Sequence, residues 1–109
     1  MNTLNSYMQA TIESPGDGEI KVSGDLTFSS VTPLLAESVE YFEPQSELLI
    51  DLAAVTHSDS AGVALLLEWM QMAKLQNLKL SFSHIPAQMW TIIDVSGLAQ
   101  RLPLLESTS

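Results

Sequence analysis

The sequence has no cysteine. That excludes a disulfide framework, a thiol nucleophile and a thiolate zinc site. Cations are nearly as scarce. Four Lys and Arg stand against 13 Asp and Glu, a formal net charge of −9. Phosphate backbones need a basic surface, so a nonspecific nucleic-acid binder is excluded. Adhesion to an anionic membrane is disfavoured for the same reason. A partner with a basic patch is favoured, because complementary charge speeds encounter. Long apolar runs are also missing. Val63 to Leu67 is the longest, far short of the roughly 20 residues that span a bilayer. Met1 to Met8 shows neither a basic cluster nor an apolar stretch, so no secretory signal is expected and the expected location is the cytoplasm. Gly-rich phosphate-binding patterns are absent, and no cofactor is implied.

What remains is core-forming. Hydrophobic residues make up 46% and charged residues 16% of 109 residues. This balance argues against disorder and for one domain over 1–109, large enough to bury a core unaided.

Period-2 alternation around Ser14-Pro15-Gly16-Asp17-Gly18 predicts an antiparallel hairpin. Met8, Ala10 and Ile12 share one side before the turn, and Ile20 and Val22 share one after it. Gly24-Asp25 is expected to end the second strand. A helix should begin near Ser29 or Ser30, with Pro33 tolerated in its first turn. Val31, Leu34, Leu35, Val39 and Phe42 form its apolar side, Glu37, Glu40 and Glu43 its acidic side, and Pro44 its stop. The run Leu48 to Leu52 predicts a buried strand, and Ser60 to Gln76 a long helix. Leu78, Leu80 and Phe82 alternate with Lys79, Ser81 and Ser83 in a further strand. Pro86 opens a helix that Gly97 closes. Leu98 to Leu105 is expected to add a helical turn or two. The pattern is α/β: a small, mostly parallel mixed sheet with an N-terminal antiparallel hairpin and helices mainly on one face.

The most informative stretch is Val55-Thr56-His57-Ser58-Asp59-Ser60-Ala61-Gly62, read as the loop between the buried strand and the long helix. Asp59 suits the helix N-cap, where its carboxylate accepts free first-turn amides. Ser60 then falls in the first turn, exposed. His57 with Ser58 or Ser60 and Asp59 has the residue types of a catalytic triad. Triad members converge from separate segments, however, so the spacing argues against an enzyme. His57 and His84 with Asp51 or Asp59 lack metal-ligand spacing.

Leu49-Ile50-Asp51-Leu52, followed by Val55 through Gly62 and then Val63-Ala64-Leu65-Leu66, resembles the core motif of STAS domains. Those domains are named for sulfate transporters and anti-sigma-factor antagonists. Val22-Ser23-Gly24-Asp25-Leu26 is similar to the family's G-[ED]-L. Ile92-Ile93-Asp94-Val95-Ser96-Gly97-Leu98 is similar to its late helix ending in [TS]-G-L. The resemblance spans residues 5 to 105 and implies the STAS fold. In the antagonist branch a kinase phosphorylates the second hydroxyl residue of D-S-S-G. That position here is Ala61, with Ser60 the out-of-register substitute. A second branch, the STAS subunit of Mla-type phospholipid ABC transporters, carries D-[ST]-[GA]-G before an A-L-L-rich helix, as Asp59 to Leu67 does. There the hydroxyl corresponding to Ser60 contacts the cytoplasmic ATPase subunit.

The expected function is a non-catalytic adaptor for such an ATPase, peripheral to the inner membrane through the transporter. Its partner-binding residues are expected to be His57, Ser58, Ser60, Ala61, Val63 and Leu67, with Asp59 as cap. The alternative partner is an anti-sigma-factor kinase. On the long helix, Ala61, Val63, Leu65, Leu66, Trp69, Met70, Met72 and Ala73 cover about half the circumference. That exceeds the ~100° a core stripe needs, and Leu67 and Leu75 sit among the polar residues Glu68, Gln71 and Lys74. Leu67, Met70 or Val63 are thus candidates for an apolar partner patch. Trp90 is read as core.

Overall fold

The computed structural model describes residues 10–16, 18–42 and 47–103. In chain order these form β1 (Thr11–Gly16), β2 (Glu19–Leu26), α1 (Val31–Phe42), β3 (Glu47–Ser58), α2 (Ser60–Gln76), β4 (Lys79–Ser83), α3 (Ala87–Val95) and a 3-10 turn (Ala99–Arg101). The sheet order is β1-β2-β3-β4; β1 runs antiparallel to β2, and the other neighbours are parallel. The expected α/β class and mixed sheet are thus observed.

Alternation in the sequence creates the layers. The register sets Ile12 beside Val22, Ile20 beside Ile50, and Ile50 beside Phe82. All of these side chains are buried on the helix side. Glu13 is exposed, and Lys21, Asp51 and Ser81 are half-buried at the intervening positions. The helices complete the core with Leu34 and Phe42 from α1, Leu65, Leu66 and Trp69 from α2, and Met89 and Ile93 from α3. Each such side chain stabilises the fold by about 1.5–3 kcal/mol relative to exposure. Trp90 is half-buried and packs against this core.

Trp69 and Ser38 explain a polar residue inside α1. The Trp69 indole Nε1–H donates to Ser38 Oγ at 2.8 Å, and Ser38 Oγ donates to the Leu35 carbonyl at 2.7 Å. Both residues are fully buried. The pair satisfies the one polar atom that Trp69 brings into the core.

Several expected boundaries move. β3 does not stop at Leu52 but continues to Ser58, and β2 does not stop at Gly24-Asp25 but reaches Leu26. The paired stretch shifts register twice, between Lys21 and Ser23 and between Gly24 and Asp25. At each shift β3 advances one residue more than β2. The buried residues of β3 accordingly fall at Leu48, Ile50, Leu52, Val55 and Ser58. Two bulges break the period, which is why the segment looks like a loop in sequence. Asp51 Oδ1 accepts the Ala53 N–H at 3.0 Å at the first bulge. Thr56 Oγ1 donates to Asp25 Oδ1 at 2.7 Å at the second.

α1 begins at Val31, and Val39 is exposed rather than on its buried side, which comprises Leu34, Ser38 and Phe42. Spacing of four residues carries that buried stripe, and Val39 falls one step beyond it. The expected turns after Leu98 reduce to Ala99–Arg101, because the Pro103 carbonyl accepts the Phe82 N–H at 2.8 Å and draws the chain alongside β4. Met8, Glu43, Pro44, Leu104 and Leu105 lie outside the described residues.

Candidate partner-binding site

Parallel β2 and β3 end together, and α2 starts where they end. The Asp59 N–H donates to the Leu26 carbonyl at 3.2 Å, joining the two strand ends. Asp59 is extended, with φ −110° and ψ −163°, and occupies the N-cap of α2. Its Oδ1 accepts the Ala61 N–H at 2.8 Å, and its carbonyl accepts the Gly62 N–H at 3.0 Å. This side chain stabilises the positive end of the helix, as an N-cap carboxylate does.

Below the cap lies Ser58, which is buried. Its N–H donates to Gln88 Oε1 at 2.8 Å, and its Oγ donates to the Asp59 carbonyl at 3.0 Å. Gln88 thereby ties α3 to the same junction. Gly62 sits directly over Ser58. A Cβ at Gly62 would run into the Ser58 hydroxyl and come within 3.1 Å of Leu26 Cβ. The glycine lets the helix settle onto the strand ends.

Above the cap, Ser60 is exposed at the first helical position, and Ala61 beside it is half-buried. Ala64 is exposed one turn further along and Leu67 lies beyond it, 38% accessible. His57 is exposed at the penultimate position of β3. Of the six residues expected to meet a partner, His57, Ser60, Ala61 and Leu67 reach the surface. Val63 and Ser58 do not: both are buried, Val63 in the core and Ser58 beneath Gly62. Val63 follows the core stripe of Leu66 and Trp69 by helical spacing. Ser58 returns to the core side because the two bulges of β3 cancel in phase.

No triad assembles among the described residues. The Asp59 carboxylate is engaged by the helix amide, and His57 makes no hydrogen bond to Ser58 or Ser60. His84 Nδ1 instead lies 3.0 Å from Asp51 Oδ1, on the side of the sheet away from the helices. The described residues hold no group of three or more potential metal ligands.

Phe28 falls outside every motif legible in the sequence. It lies in the β2–α1 loop, two residues past the Leu26 carbonyl that holds Asp59, and is 85% exposed. The available signal was a large aromatic among Thr27, Ser29 and Ser30, outside the period of either neighbouring element.

A family model described as "Mlab, STAS domain" matches residues 10–106. The chain belongs to the STAS domain family. Members are typically non-catalytic regulatory or adaptor proteins, and STAS domains are protein-interaction modules. Two solved structures share the fold. The unphosphorylated anti-sigma factor antagonist SpoIIAA is 15% identical with a TM-score of 0.69, the match covering 92% of this chain and 89% of that one. An anti-sigma factor antagonist from Mycobacterium paratuberculosis is 23% identical with a TM-score of 0.63, covering 90% and 86%. No curated protein matches the sequence. No described helix of this STAS domain is long and apolar enough to cross a membrane.

Proposed function

We propose that this STAS domain is a non-catalytic adaptor that docks, through the start of α2, onto the cytoplasmic ATPase of an Mla-like ABC transporter moving phospholipids between inner and outer membranes. The observation that carries the reading is Ala61. It follows Asp59 and Ser60 at the position where the antagonist motif has its phospho-acceptor, and it has no hydroxyl. The family description points the same way. Beyond the exposed Asp59, the first turns of the helix present small side chains, Ser60, Ala61 and Ala64, leading to Leu67. Such a surface suits close, permanent packing. The adaptor would act by binding one conformation of the ATPase more tightly than another and so shifting its population.

Purified together, the domain and the Mla-type ATPase of the same organism should form a stable complex, and deletion of the domain should raise outer-membrane permeability. No complex and normal permeability would overturn the proposal.

Partner switching with an anti-sigma-factor kinase is the second reading, favoured by the fold shared with the two antagonists. It requires a phosphate on Ser60, the exposed hydroxyl beside the cap. The positive end of α2 would tolerate that charge. Incubation with the kinase, followed by mass spectrometry, decides the matter. Stoichiometric phosphate on Ser60 would favour partner switching over the adaptor.

A further inference from the structure

The β2–α1 loop holds Phe28 in solvent by design of its hydrogen bonds. Ser30 is buried, and its hydroxyl donates to the Asp25 carbonyl at 2.7 Å while accepting the Thr27 N–H at 2.9 Å. The Ser30 and Val31 amides both donate to the Thr27 carbonyl at 3.0 Å. A four-residue turn is thus fastened at both ends, and the exposed ring at its tip is not the product of a loose loop. An aromatic side chain typically buries 150–250 Å² when it is packed, so an exposed one forgoes a large hydrophobic gain.

Among the described residues, the formal charges beside Phe28 are negative, with His57 next to Asp25 in the register. Asp25 precedes Phe28, and Asp59 lies across the Leu26 contact. Neither carboxylate is paired with a cation among the described residues. The four cations of the chain are elsewhere. Lys79 starts β4 at the opposite end of the sheet, and Arg101 and Lys74 flank one groove there with Leu78. Lys21 lies four residues before Asp25 along β2, or about 13 Å at strand rise.

We infer that Phe28 is the anchor of the docking surface and inserts into an apolar pocket of the partner, with Lys or Arg residues at the pocket's rim meeting Asp25 and Asp59. This rests on the proposed adaptor reading and specifies what its ATPase must present. A two-fold pairing with a second copy does not fit, because it would bring the same two carboxylates against their own kind. A rigid aromatic loses little side-chain freedom on binding, which is the property of interface hot spots.

The probe is the purified Mla-type ATPase of the same organism, titrated against the wild-type domain and three variants at low and high salt. Phe28→Ala should weaken binding at least ~10-fold. It should leave the unfolding midpoint within ~3 °C of wild type, because the ring supports nothing beneath it. Asp25→Asn keeps the acceptor for Thr56 and should flatten the salt dependence. Leu75→Ala removes an apolar side chain that is 74% exposed at the far end of α2, and should change nothing. Wild-type binding with undiminished affinity for Phe28→Ala overturns the anchor and leaves the adaptor reading standing. Equal losses from Phe28→Ala and Leu75→Ala also overturn it, since apolar surface in general would then be responsible. A wild-type domain that does not bind the ATPase overturns both. A dimer of the domain that Phe28→Ala dissolves would replace the basic partner with a second copy.

Discussion

Asp59 and Ser60 are neighbours with opposite tasks, and substitutions should separate them. Asp59 fastens the first turn of α2 through the Ala61 amide. Asp59→Ala should cost about 0.5–2 kcal/mol of stability, read by thermal or denaturant unfolding. Ser60 is exposed and holds no structural bond among those described. Ser60→Ala should leave stability within about 0.5 kcal/mol of wild type. In the proposed complex it should cost about 1 kcal/mol or more of ATPase binding by removing a hydrogen bond. Ser60→Arg should remain folded and fail to bind, because the small surface has no room for a long cation. If Ser60→Arg binds normally, the start of α2 is not the interface. Gly62 allows a third measurement. Gly62→Ala should destabilise by about 1–3 kcal/mol, through overpacking against Ser58 and Leu26. Adding Ser58→Ala removes the hydroxyl it strikes, so the double variant should regain part of that loss. Additivity in this cycle would disprove the contact.

At the scale of elements, one buried hydrogen bond couples α1 to α2. Ser38→Ala leaves the Trp69 indole N–H without its acceptor in the core. The expected loss is about 1–3 kcal/mol, larger than a buried serine would suggest from its size. Trp69→Phe with Ser38→Ala removes both polar partners, and unfolding experiments should show less than the sum of the single losses. The bulged end of β3 bears on the proposed docking. Its two extra residues hold β2 and β3 together as far as Leu26 and Ser58, so that the β2–α1 loop and the cap of α2 emerge side by side. Bulges commonly re-aim side chains beside functional sites, and here they bring Phe28 and Ser60 to one end of the sheet.

At the scale of the whole molecule, the cations are segregated. Three of its four cations, Lys74, Lys79 and Arg101, gather at the end of the sheet opposite Asp25, Phe28, Asp59 and Ser60. Glu19 and Glu47 share that end with the cations, whereas Asp25 and Asp59 stand without lysine or arginine among the described residues, so a basic partner should be steered to them. Stopped-flow association with the ATPase should therefore slow as salt rises from low to about 0.5 M, as screening shortens the Debye length. Dissociation should change much less, because apolar contacts such as the proposed one at Phe28 are not screened. Equal slowing of both steps would argue against steering.

The sequence determined the elements whose signal is local. Alternation at Ile20 and Val22 and at Leu80 and Phe82, and the polar cluster around Asp59, are properties of neighbouring residues. Their outcome in β2, β4 and the start of α2 follows from side-chain period and capping chemistry. Only the tertiary structure decided where period fails. Val55 and Ser58 break the alternation of β3 because two bulges fit it to β2, and no single-chain pattern displays a partner strand's register. Burial of Val63 and Ser58 depends on how α2 rests over Leu26, which Gly62 permits by lacking a side chain. Phe28 stands exposed because hydrogen bonds from Ser30 fix its loop, and an aromatic residue in a sequence carries no mark of which way its loop will turn. Local composition selects the helix and strand. The packing of elements distant in sequence selects which of their residues meet the solvent.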